Sequence, residues 1–363
     1  MSNHSKKAPL WKRFLQVVGV ACLVLVAAGV GAGVAAYMKL DSSVQSEDFT
    51  DYLDNRKDVK TTSGGSTTDP NAGRSLNYVL IGSDSREGGD NSSLGGGAVD
   101  GMRSDTTIIA HVSEDRKRVD MVSIPRDSMV EIPSCKKSDG ARTDAKALDM
   151  FNSAFSKGDN TPSAVACTVA TIEKNTGLYI DGYAVVDFSG FKDMVDSIGG
   201  IEFNVPRDMV SKKAKLDLKA GKQTLNGTQA LAYARARTFE VGGGDGSDIS
   251  RIERQQELLK AFASQILSAG TLSNPVKIYN VSDSVIKSLT VSPDLGSVNS
   301  MTGFAYSLRN ISKNDINFYT VPNTRYPQDL NRVIWTDEAD EYWAAMNDDK
   351  PLESDKSSEK KTG

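Results

Sequence analysis

The chain has 363 residues, 39% hydrophobic and 25% charged, ordinary proportions for a globular protein with a sizeable core. Its 43 Lys and Arg against 47 Asp and Glu give a formal net charge of −4, which argues against a nucleic-acid binder that works by bulk electrostatics. With only two histidines, His4 and His111, the composition also argues against a His-rich metal centre or a His-centred triad.

Residues 1–13 carry Lys6, Lys7, Lys12 and Arg13 ahead of an uncharged apolar run at 14–38 that is long enough to cross a bilayer. Basic residues before the span place the N-terminus in the cytoplasm and the rest of the chain outside. A cleaved signal peptide is the rival reading, because Ala32, Ala35 and Ala36 close the segment. The run is longer than a signal core, and Ala35-Ala36-Tyr37-Met38-Lys39 is a poor cleavage site, so a single-pass membrane anchor is expected. Residues 39–74, rich in Ser, Thr, Asp and Gly, read as a flexible linker, 75–347 as one extracellular domain, and 348–363 as a disordered tail.

Within the domain, Leu76–Ile81, Thr106–Val112 and Arg118–Ile124 read as strands, with His111 a strand residue. Thr161-Pro162 opens a helix that Gly177 ends. Tyr183–Asp187 is a strand, Ser189–Ile198 a helix and Ile201–Val205 a strand. Thr228–Ala236, Arg251–Ser268, Pro275–Leu289 and Leu295–Asn310 read as helices, and Ile316–Val321 as the last core strand. Some strands are adjacent in sequence and others are separated by helices, so the expected fold is α/β with a mixed central sheet flanked by helices. Cys22 lies in the span; Cys135 and Cys167 lie outside, where they form either one disulfide or two separate buried thiols.

Arginines and aspartates gather in four clusters near the ends of these elements. Asp84 and Arg86 follow the first strand, and Arg103 and Asp105 precede the second. If the two strands are antiparallel neighbours, Asp84 and Asp105 converge, as suits Mg²⁺, which takes one or two carboxylates plus phosphate oxygens. Arg126 and Asp127 follow Pro125, where a central strand must stop. Ser250 and Glu253 form a capping box for a helix starting at Arg251, whose stripe continues through Gln255, Leu258 and Phe262. Polar groups at the positive end of a helix that turns apolar fit a phosphate head with a greasy tail. Arg235 and Arg237 lie just upstream, with a Gly-rich loop between them and that helix.

With the N-terminal anchor, the ordered segments Leu80–Arg86, Arg103–Thr106, Ser123–Asp127, Asn152–Phe155, Val186–Phe191, Ile198–Ile201 and Leu225–Leu231 resemble the LytR-CpsA-Psr family of Gram-positive cell-envelope proteins. The resemblance runs from about Leu76 to Ala263. It implies a phosphotransferase that moves a glycopolymer from a polyprenyl-pyrophosphate carrier onto peptidoglycan and releases polyprenyl phosphate. By motif match, Asp84 and Asp105 would hold Mg²⁺ (or Mn²⁺). Arg103, Arg126, Arg235, Arg237, Arg251 and Gln255 would hold the pyrophosphate, and Leu258 and Phe262 would line a lipid pocket. For the attacking hydroxyl, deprotonation by Asp248, by Asp127 or by the substrate itself is open. Hydrolysis of the lipid pyrophosphate and a non-enzymatic envelope regulator are the alternatives. The chain departs from the family at Met150-Phe151-Asn152, where Lys-Ile-Asn is frequent, and at Gly158-Asp159, where Gly-Gly is frequent; Lys146 or Lys157 are candidate replacements for the missing lysine.

Overall fold

Seven strands form the central sheet. They are β1 (Gln45–Ser46), β2 (Leu76–Ser83), β3 (Ser104–Val112), β4 (Val119–Ile124), β7 (Gly182–Val186), β12 (Leu289–Val291) and β13 (Ile316–Thr320), in the spatial order β1-β12-β7-β2-β3-β4-β13. β2, β3 and β4 are antiparallel neighbours, whereas β7 runs parallel to β2 and β13 parallel to β4. The sheet is therefore mixed, as expected. This computed structural model describes residues 37–54, 71–83, 104–242, 246–266 and 275–353. The expected membrane span falls almost wholly outside them, as do Asp84, Arg86 and Arg103. Among the described residues no helix is long and apolar enough to cross a membrane.

Side chains alternate across a strand, so β2 feeds two apolar layers at once. Val79 and Ile81, with Ile109, Val122 and Tyr183, pack against Val165, Val169 and Ile172 of α2 (Thr161–Thr176) and Trp343 and Met346 of α8 (Asp337–Asn347). Leu76 and Tyr78, with Ala110 and Val119, face the other way, toward Phe304 of α7 (Val298–Ser307). The cap of α2 is Asn160, one residue ahead of expectation: its side chain accepts from the Ser163 N–H while Ser163 reaches back, and Pro162 opens the first turn. Gly177 ends the helix at φ 69°, the left-handed conformation that a glycine adopts without strain. Cys135 and Cys167 form a disulfide that joins the segment after β5 (Met129–Ile132) to α2.

A third apolar layer builds the other flank. It contains α3 (Phe188–Ser197), α4 (Gly227–Arg235), α5 (Asp248–Ile266) and the antiparallel pairs β8 (Ile201–Val205) with β11 (Gly221–Leu225) and β9 (Met209–Ser211) with β10 (Leu216–Leu218). Three of these short strands, β9, β10 and β11, and several elements elsewhere in the chain were not expected from the sequence. The others are β6 (Lys146–Met150) paired with β5, the hairpin β14 (Asn323–Tyr326) and β15 (Asp329–Trp335), the short α1 (Ser153–Ser156), and α8. α6 (Pro275–Ser288) stops a residue earlier than expected because Leu289 enters β12. The expected Leu295–Asn310 helix is a 3-10 turn at Pro293–Leu295 followed by the shorter α7.

Two boundaries read from composition also shift. Residues 44–54, assigned to the linker, belong to the domain: β1 pairs with β12, and Phe49 is buried with its ring 5.2 Å from that of Tyr183. A single large aromatic outweighs the polar residues around it. Likewise the first residues of the expected tail pack down. Leu352 is buried, and Asp349 accepts from Arg118 and meets Nε2 of the buried His111 at 3.0 Å. His111 is thus a structural strand residue, and burial holds its imidazole below the usual histidine value. Replacing Phe49 with Ala should cost about 3–5 kcal/mol of stability in a urea melt. An unchanged midpoint would return this segment to the linker.

Candidate anion-binding site

The antiparallel register of β2 and β3 sets Gly82 opposite Thr106 and Ser83 opposite Ser104, so the end of one strand lies beside the start of the other. Asp105 is the second residue of β3 at that end. β4 also finishes there, and Pro125 turns the chain so that Arg126 and Asp127 leave the sheet at its end. Backbone bonds from Phe151 N–H to the Ser128 carbonyl (2.8 Å) and from Asn152 N–H to the Arg126 carbonyl (3.1 Å) brace the turn. The bracing uses main-chain groups, so the departure at Met150-Phe151 leaves it intact.

The helix that supplies the remaining groups starts one turn earlier than the Ser250–Glu253 pattern suggested. Ser247 caps it, accepting from the Ser250 N–H at 3.1 Å, and Asp248 occupies the first turn of α5. A carboxylate there is favoured by the helix dipole. Arg251, one turn on, points back over the same end, its side chain only 3% exposed. Gln256 fastens α5 to the sheet by donating to Ser123 Oγ and the Tyr319 carbonyl at 3.0 and 2.9 Å.

Asp105 is the centre of the arrangement. Arg126 Nη1 donates to its carboxylate at 2.6 Å, and Arg237 Nη2 and Arg251 Nη1 stand 3.8 and 4.0 Å away. Arg251 also donates to the Asp105 carbonyl at 3.0 Å and pairs closely with Asp248. Asp248 in turn accepts from the Arg126 backbone N–H at 3.2 Å and lies 3.5 Å from Arg126 Nε. Asp127 sits 3.5 Å from Arg126 Nε on another side. Burial alone would raise the Asp105 carboxyl, but Arg251, Arg126 and Arg237 together hold it below the usual carboxylate value. Asp248 goes the other way: its burial, with Asp127 adding to it, outweighs the arginines and lifts it. Burial also lowers the Arg237 guanidinium, and repulsion from Arg251 and Arg126 adds to the effect. The Nε–H groups of Arg126 and Arg251 are buried with no hydrogen-bond acceptor among the described residues. A bound phosphate oxygen is one acceptor that would satisfy them.

Six expected residues therefore converge: Asp105, Arg126, Asp127, Arg237, Asp248 and Arg251. Others do not. Arg235 lies over the Phe188 ring at 4.1 Å, and Gln255 donates to the Ala234 carbonyl at 3.2 Å. With Arg254, which donates to the Ala236 carbonyl, Gln255 straps down the segment that carries Arg237. Spacing of i, i+4 put Gln255 on the Arg251 stripe, but its amide reaches α4 first. Leu258 is buried inside the third apolar layer, and Phe262 lies partly buried at its margin. Lys146 and Lys157 form no ion pair among the described residues. Missed entirely was Arg332 of β15, whose Nη1 lies 3.7 Å from Asp127. It stands more than 200 positions from Asp127, in a stretch with no motif that would have marked it.

For Mg²⁺, Asp105 offers one carboxylate that its arginine neighbours keep ionised. Three nearby guanidiniums would repel a lone cation, so the set fits the metal only in company with phosphate oxygens. Asp84, the other expected ligand, lies outside the described residues.

A mixed sheet between helices, with arginines clustered at the ends of β3 and β4 and at a helix N-terminus, defines the chain as an α/β protein. Residues 35–350 match the LytR_cpsA_psr family, and the chain belongs to it. It is 35% identical over 219 residues to the probable cell wall biosynthesis protein LcpB of Corynebacterium glutamicum, covering 59% of this chain and 48% of that one. The chain thus spans about half the length of that relative. It is 29% identical over 275 residues to the polyisoprenyl-teichoic acid–peptidoglycan teichoic acid transferase TagU of Enterococcus faecalis, covering 76% of this chain and 78% of that one. In fold it is similar to the LytR-Csp2A-Psr enzyme from Actinomyces oris, with TM-score 0.58 and 19% identity over 81% of this chain and 96% of the other.

Removing the Arg126 guanidinium should raise the Asp105 pKa, read by carboxyl-carbon NMR titration of Arg126→Ala. Because the native pKa is depressed, the ionised form favours the folded state above the ordinary carboxylate range. That contribution is lost as pH falls through the native value, and the variant should lose it at a higher pH. An unaltered Asp105 titration would remove Arg126 from the cluster.

Proposed function

We propose that the protein is a membrane-anchored phosphotransferase. It attaches a glycopolymer, carried on polyprenyl pyrophosphate, to peptidoglycan and releases polyprenyl phosphate. The convergence of Arg126, Arg237 and Arg251 around Asp105 carries the reading. Phosphoryl transfer asks a protein mainly for positioning and for neutralisation of developing charge, and planar guanidiniums grip phosphate oxygens in pairs. Membership of the family and the similarity to TagU support the same chemistry. The apolar layer that takes in Leu258 and Phe262 begins two turns along the helix from Arg251, on the side where a prenyl chain would leave the head group. The apolar run at 14–38 would anchor the chain with the site outside the membrane.

A peptidoglycan hydroxyl attacks the phosphorus nearer the saccharide. A new P–O bond forms, the bond to the bridging oxygen breaks, and polyprenyl phosphate departs. Arg126 and Arg251 face the charge that develops. Asp248, whose burial raises its proton affinity, takes the hydroxyl proton, with Asp127 as the neighbouring carboxylate. Mg²⁺, held by Asp105 with Asp84 and by phosphate oxygens, would supply further charge neutralisation.

Supplied with a lipid-linked saccharide and peptidoglycan fragments, the protein should yield a phosphodiester conjugate. Free phosphorylated saccharide without conjugate would mean hydrolysis instead. Arg251→Ala should lower kcat/KM about a hundredfold or more. Activity should fall as pH drops through the raised Asp248 value, and Asp248→Asn should abolish that limb together with most turnover. A full-rate Asp248→Asn variant would pass the role to another group.

A further inference from the structure

The β14–β15 hairpin lies late in the chain, yet it is fastened to the turn that carries Arg126. Val333 N–H donates to the Asp127 carbonyl at 3.2 Å, and Trp335 Nε1–H donates to Ser128 Oγ at 3.0 Å. Ser128 and Val333 form a parallel bridge. These bonds flank Asp127 and fix the hairpin whatever residue stands at 332. Arg332 then lies with Nη1 3.7 Å from Asp127 Oδ1 and Nε 3.4 Å from Asp329. Asp127 Oδ1 therefore stands 3.5 and 3.7 Å from two guanidiniums, Arg126 and Arg332.

The need for a second cation follows from the neighbourhood. Three carboxylates, Asp105, Asp127 and Asp248, share the Arg126 guanidinium. Asp105 and Asp248 have Arg251 as well, and Asp105 has Arg237. Among the described residues Asp127 pairs with Arg332 alone besides Arg126. Without it, Asp127 would set an uncompensated negative charge beside a site meant for an anion. It would also draw Arg126 away from the bound phosphate.

We propose that Arg332 is a positioning residue of this site: it neutralises Asp127 from the hairpin side and so leaves Arg126 free to engage the pyrophosphate. The proposal rests on the reading of the cluster as a pyrophosphate clamp. Asp127 also raises the Asp248 carboxyl, so a neutralised Asp127 would raise it less. Around Asp248 the charged groups are Arg251 on its own helix, Arg126 and Asp127 from the β4 turn, and Arg237 after α4.

The test is calorimetric binding of inorganic pyrophosphate with Mg²⁺ to the full-length protein in detergent. Arg332→Ala should weaken binding about fivefold and Arg332→Lys should restore most of it, with thermal melts matching the wild type. The discriminating measurement is the double variant: if Arg332 acts through Asp127, Arg332→Ala should be silent in an Asp127→Asn background. With the lipid-linked substrate, Arg332→Ala should also move the acid limb of the rate upward in pH. Equal weakening in both backgrounds, or none in either, overturns the proposal while leaving the clamp intact. A wild-type protein that binds no pyrophosphate overturns the clamp itself.

Discussion

Guanidiniums repel one another, and Arg126, Arg237 and Arg251 stay gathered because the Asp105 carboxylate stands between them. Arg251 is buried and Arg126 largely so, which is costly for a charge unless it is paired. Asp105 is itself fixed by the β2–β3 ladder, Arg126 by the turn at Pro125, and Arg251 by the first turn of α5. Three elements distant in sequence are thus committed to one carboxylate. On the proposed reading, a bound polyanion would relieve the repulsion that remains.

Around that centre, the packing does two further jobs. Gln256 locks α5 against β4 and β13, while Gln255 and Arg254 hold the segment bearing Arg237 by its carbonyls. The helix therefore positions arginines through polar bonds on its first turns and buries Leu258 farther along. Along one helix the polar bonds that fix the arginines thus give way to buried core.

Much of this was legible in the sequence, for identifiable reasons. Strands at Leu76–Ile81 and Arg118–Ile124 are β-branched runs bounded by turn residues; the first falls within β2, and the second starts one residue ahead of β4. Their charged ends could be placed because the antiparallel neighbour was the simplest pairing. Less visible were contacts that depend on where a side chain finds its partner. Gln255 had the right helical spacing but met the Ala234 carbonyl, and the cap of α5 fell on Ser247, one turn ahead of a second plausible box. Arg332 could not be found at all, because its place beside Asp127 comes from the docking of a hairpin whose own sequence is polar and short. Composition misjudged the domain's ends for a similar reason. Phe49 and Leu352 each bury a side chain within an otherwise hydrophilic stretch.

The central claim is that these arginines grip the pyrophosphate of a prenyl-linked substrate. A co-crystal structure with a short polyprenyl pyrophosphate tests it most directly. The account predicts phosphate oxygens within hydrogen-bond reach of Arg126 and Arg251, with the first prenyl units running toward Phe262. A head group bound elsewhere, with Arg126 and Arg251 still paired only to Asp105 and Asp248, would contradict it.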